Sequence, residues 1–105
     1  MAQFDVYRNT SAKTKAAFPY IVDIQQTLLD DIATRIVIPL GKMERLQYEY
    51  LKNLTPEIKF NNERLLLLTP QIAAMPKKLL KDPIGSLAHF RAEIIAALDF
   101  AITGI

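Results

Sequence analysis

Few side chains in this sequence could do chemistry, and they are scattered. His89 is the single histidine and cysteine is absent. A metal site built on several imidazoles is thereby excluded, as is any thiolate nucleophile. His89 alone reads as a structural or solvent-facing residue. Asp30 and Asp31 are adjacent, and paired carboxylates can share a metal ion or a proton. In a polar stretch, however, such neighbours read first as a solvated turn. Arg35 beside Thr34 is the one pairing that suits phosphodiester cleavage, which needs a base and a cation for phosphorane-like charge. Lys77, Lys78 and Lys81 form a small basic cluster. It reads as lysines keeping an edge strand soluble, or as contact with an acidic partner. The chain has three glycines, too few for a Gly-rich phosphate loop. These residues give no catalytic set, no metal set and no cofactor-binding set.

The elements that would have to position such residues are those of one small domain, spanning 1–105. The chain is half apolar and 23% charged, ordinary for a globular fold. A net charge of +2 is too weak to argue nucleic-acid binding in bulk. No apolar run approaches the roughly 20 residues of a membrane span. The opening residues lack the basic start and apolar stretch of a secretory signal. The reading is a cytoplasmic protein without a membrane segment.

Residues 3–7, QFDVY, alternate as a half-buried strand, with Phe4 and Val6 on one side and Tyr7 on the other. The basic stretch from Arg8 to Ala17 has no periodicity and reads as a long, mobile loop. Tyr20–Ile24 and Arg35–Leu40 are β-branched strands, the second ending or lying at an edge at Pro39. Between them, a loop carries Leu28 and Leu29. Met43, Leu46 and Tyr50 share helical spacing. Short runs at 57–60 and 64–68 flank Asn61-Asn62 as a hairpin. Residues 71–76 and 77–80 read as two further short strands broken at Pro76. Many short strands followed by a helix predict an α+β, mostly β fold with a small antiparallel barrel.

The last element is a helix with Ser86 as N-cap. Leu87, Phe90, Ile94, Leu98, Ala101 and Ile105 fall on one face at 100° per residue and are expected against the sheet. The opposite face holds His89, Ala92, Ala96, Phe100 and Thr103, with no full charge. Asp99 is the only charged residue among the last twelve. A helix apolar nearly all round is covered on both sides, and a second subunit is the expected cover. The expected dimer contact is Ala92, Ala96, Phe100 and Thr103.

The order of these pieces is specific. QFDVY, then VDIQ at 22–25 leading to LLD, then VIPL at 37–40, then MP after a hairpin, and finally a helix followed by Gly104-Ile105, resemble the CcdB family of toxins over nearly the whole length. The resemblance implies an SH3-like barrel with a long C-terminal helix, as in CcdB and MazF, and a homodimer. It implies a toxin that binds the A subunit of DNA gyrase and traps it on cleaved DNA. A CcdA-like antitoxin would reverse the poisoning and lie near the loop after Arg8. Neither a cofactor nor direct sequence-specific nucleic-acid binding is implied. The residues carried over for gyrase binding are Ile102, Thr103, Gly104 and Ile105, together with Leu28 and Leu29. Thr103 stands where the family pattern has Trp, and an aromatic anchor is a frequent hot spot. The open alternative is a MazF-like endoribonuclease on the same barrel.

Overall fold

The computed structural model describes residues 2–27, 32–42 and 54–104. Seven strands form one antiparallel sheet: β1 Asp5–Arg8, β2 Tyr20–Asp23, β3 Thr34–Lys42, β4 Glu57–Phe60, β5 Glu63–Leu67, β6 Ala73–Pro76 and β7 Gly85–Ser86. They run in the order β4-β5-β3-β2-β1-β7, with β6 also on β3. One helix follows, α1 at Arg91–Thr103. The curled sheet and C-terminal helix give the expected α+β, SH3-like barrel. The helical spacing at Met43, Leu46 and Tyr50 lies outside the described residues.

The strand β3 is the spine. Its first half, Thr34–Val37, pairs with β6, and its last three residues pair with β5. Pro39 therefore neither ends the strand nor marks an edge, contrary to expectation. Its carbonyl accepts from Leu68 N at 3.0 Å, and in a strand a residue's N–H would point the same way. That is where the partner changes from β6 to β5, across a 3₁₀ turn at Thr69–Gln71. The missing donor thus falls in a gap of the ladder.

Register puts Val6 opposite Val22 and Val22 opposite Ile38. These side chains, with Leu40, Ile58, Leu65 and Leu67, form the main core under α1. Tyr7, Ile21, Val37 and Leu80 form a second cluster. Both faces of β1 and β2 are thus covered, and Tyr7 is buried where one-sided burial was expected. β1 also starts later than expected, at Asp5. Phe4 has φ of 72°, a left-handed conformation costly for a non-glycine, and its ring is buried in the core.

The hairpin at Asn61-Asn62 is as expected. Both residues have positive φ, 54° and 63°, the requirement of a two-residue type I′ turn. Residues 77–80 do not form a strand. Lys77–Leu79 make a 3₁₀ turn after Pro76. The stretch after Arg8 is drawn into consecutive turns by Asn9, whose amide donates to Thr14 Oγ1 at 2.9 Å and to Phe18 O at 2.8 Å.

Gly85 is required by close approach. A Cβ there would lie 2.7 Å from Cε1 of Phe60, whose ring is packed edge-on against Tyr20. Gly85→Ala should lower stability by about 1 kcal/mol, because overpacking outweighs the gain from a stiffer unfolded chain. Pairing it with Phe60→Leu should recover most of that loss in denaturant titrations. A stabilised Gly85→Ala protein would show that the ring moves aside freely.

Candidate interaction surface on the helix

Approach to the helix is set by Ser86, although not as its N-cap. Ser86 lies in β7, and its Oγ accepts from Ala88 N at 3.1 Å. A 3₁₀ turn at Ala88–Phe90 follows, and α-helical geometry starts only at Arg91. Arg91 holds its guanidinium 5.9 Å from the centre of the Phe4 ring. At the far end Gly104 adopts φ of 76°, and its N–H donates to Phe100 O at 2.9 Å. Glycine takes this left-handed capping geometry without steric cost. Thr103 Oγ1 donates to Asp99 O at 2.6 Å.

Only Ile94 and Ala97 of α1 are fully buried, with Phe90, Ile95 and Leu98 packed at the margin. Ala97 and Ile95 were not expected there. Ala101, expected in the core, is exposed, because the apolar cluster beneath the helix stops at Leu98 and the helix runs past it. Ile105, also expected on the core face, lies outside the described residues, as do Leu28 and Leu29. His89, Ala92, Ala96 and Thr103 are exposed as expected. Phe100 is 37% exposed and Ile102 76%. From Phe100 to Gly104 the helix end is therefore a bare surface without a charge.

The other residues singled out for chemistry are differently placed. His89 is exposed, its ring 4.5 Å from that of Phe90. Asp30 and Asp31 lie outside the described residues. Arg35 is wholly buried. Its Nε donates to Asp23 Oδ2 at 2.8 Å and its Nη2 to Gln25 O at 3.1 Å. Gln25 N donates to Asp23 Oδ1, and Gln25 Oε1 accepts from Ile36 N, both at 3.0 Å. An arginine sealed in this way is a structural clasp and cannot meet a phosphodiester from solvent. Asp23 and Gln25 were read from the sequence only as part of the VDIQ stretch, with no role for their side chains. The available signal was one charge inside each of two adjacent apolar strands, YIVD and RIVIPL.

The described residues thus form a curled antiparallel barrel carrying a helix whose end, from Phe100 to Gly104, is exposed and uncharged. The family model described as CcdB protein matches residues 3–104, and the chain belongs to that family. The family is one of toxins from toxin–antitoxin modules, which poison gyrase and are not catalytic enzymes. Among the described residues no helix is long and apolar enough to cross a membrane.

Proposed function

We propose that this protein is a cytoplasmic toxin that binds the A subunit of DNA gyrase, traps it on cleaved DNA and is neutralised by a CcdA-like antitoxin. The observation carrying the reading is the bare end of α1, where Ile102 is 76% exposed. Large apolar side chains grouped on a surface mark association. Ile102, Thr103 and Gly104, with Ile105, Leu28 and Leu29, are the proposed gyrase contacts. Purified protein incubated with gyrase and supercoiled plasmid should yield linear DNA after denaturation of the complex. Intact plasmid at every toxin concentration would overturn the reading, and fragmented RNA in a parallel tube would replace it with a ribonuclease.

The same helix supplies the proposed dimer contact through Ala92, Ala96, Phe100 and Thr103. Small residues at 92 and 96 let a second helix approach closely, and Phe100 is the anchor of that patch. Sedimentation at micromolar concentration should give twice the 11.9 kDa of the chain. Ala96→Asp should shift it to monomer, since the interface core would hold an unpaired carboxylate. A wild-type protein that sediments as a monomer would overturn the dimer.

A further inference from the structure

Four cations without a carboxylate partner gather on one side of the fold. Arg35, Lys42 and Arg64 have carboxylate partners, Asp23, Glu63 and Glu57. Among the described residues Arg8, Lys15, Lys78 and Lys81 make no ion pair, as is true of Lys13, Lys59 and Arg91, but only these four border two adjoining clefts. The first, about 500 Å³, is lined by Arg8, Thr10, Lys78, Leu79, Lys81, Asp82 and Ile84. The second, about 420 Å³, shares Arg8 and Thr10 and adds Lys15. With Asp82 as the only acid, the two clefts carry a charge of +3, against +2 for the whole chain. The rest of the molecule is therefore slightly acidic. The weak bulk charge conceals a local cationic band.

The band's location separates it from α1. Leu80, between Leu79 and Lys81, packs with Tyr7, Ile21 and Val37, whereas α1 lies on the core that contains Val6, Val22 and Ile38. Consecutive strand residues point to opposite faces, so the band borders the face of the sheet turned away from the helix. The band does not offer a template for a peptide strand. β1, which ends at Arg8, is paired with β2 through Val6–Arg8 on one side, while on the other β7 covers only Asp5 and Val6. An added peptide would find only Tyr7 and Arg8 left uncovered by β7, too short a ladder to set a register, and would be held mainly by charge. A polyanion with regular charge and no need of register is the better match.

We propose that this band binds the phosphodiester backbone of duplex DNA without reading its sequence. Arg8, Lys15, Lys78 and Lys81 each neutralise a phosphate, and Thr10 offers a hydroxyl donor at the junction. Backbone contacts of this kind release counterions, so the observed affinity falls with salt in proportion to the phosphates neutralised.

The test uses the full-length protein and a short mixed-sequence fluorescent duplex, followed by anisotropy between about 50 and 200 mM salt. Binding is expected to weaken steeply with salt and to be the same for a second, unrelated sequence. Lys78→Ala with Lys81→Ala should lower the slope of log affinity against log salt by about two. Lys59→Ala, an exposed cation on β4 away from the band, should leave it unchanged. All are surface changes, and matched melting curves establish that the variants are folded. Absence of binding at low salt, or an unchanged slope in the double variant, overturns the proposal. Displacement of the duplex by an equal charge of a Glu-rich peptide overturns it in favour of an acidic protein partner. Gyrase poisoning is scored separately, and a toxin that linearises plasmid yet ignores free duplex defeats this inference alone.

Discussion

Replacing Arg35 by methionine is expected to destabilise the protein by about 3–5 kcal/mol, the usual result of leaving one member of a buried ion pair alone. Asp23 would keep its backbone bond from Gln25 N but lose the donor at Oδ2. Gln25 would lose the guanidinium that holds its carbonyl. Because the paired groups are wholly buried, water cannot replace the lost donors. Denaturant titrations at one fixed protein concentration measure the effect, since stability of a dimer depends on concentration. Adding Asp23→Asn should recover part of the loss, because the stranded charge disappears while an acceptor for Gln25 N remains. A loss under about 1 kcal/mol in the single variant would place the pair among weak surface bridges. A double variant no better than the single one would show that hydrogen bonding, rather than charge, dominates the clasp.

Removing Gly104 and Ile105 is expected to abolish gyrase poisoning while leaving the fold intact. No residue of α1 beyond Ala97 is fully buried, so the shortened helix forfeits one capping bond, from Gly104 N to Phe100 O. Its melting temperature should stay within a few degrees of wild type, a change of under about 1 kcal/mol for a domain of this size. The loss at the partner is larger. Burying an isoleucine is worth roughly 1.5–3 kcal/mol, or about ten- to a hundredfold in affinity. Gly104→Ala is a finer probe. No atom lies within 4 Å of a Cβ added there, but φ is 76°. The variant would meet no clash yet pay the strain of a left-handed alanine, about 1–2 kcal/mol, and re-aim residue 105. Plasmid linearisation and thermal unfolding on the same samples separate the possibilities. Poisoning at wild-type concentration by the truncated protein would remove these residues from the mechanism. Early unfolding would instead put Ile105 in the core.

How far the sequence reached differs by element. Wherever one local rule had no competitor it determined the structure. The adjacent β-branched Ile21 and Val22 marked β2, and two asparagines between apolar runs marked a hairpin, whose turn needs the positive φ that Asn tolerates. Spacing at 100° per residue identified Leu87, Phe90, Ile94 and Leu98 as the inward side of the helix and its approach. Chain order along the whole length identified the family. Where position depends on a distant partner, the sequence was silent or misleading. Pro39 signals an edge by its own chemistry, yet it sits mid-strand because β6 and β5 share β3 and leave a gap at that residue. Arg35 reads as a free cation until Asp23 and Gln25 are folded against it. Ala101 has the right phase for the core, but the core ends one turn earlier. Periodicity fixes direction around a helix and says nothing of how far the neighbouring sheet extends. The cationic band is the extreme case. Arg8 and Lys15 are separated from Lys78 and Lys81 by more than sixty positions, and only the antiparallel closure of the barrel gathers their charges into one field.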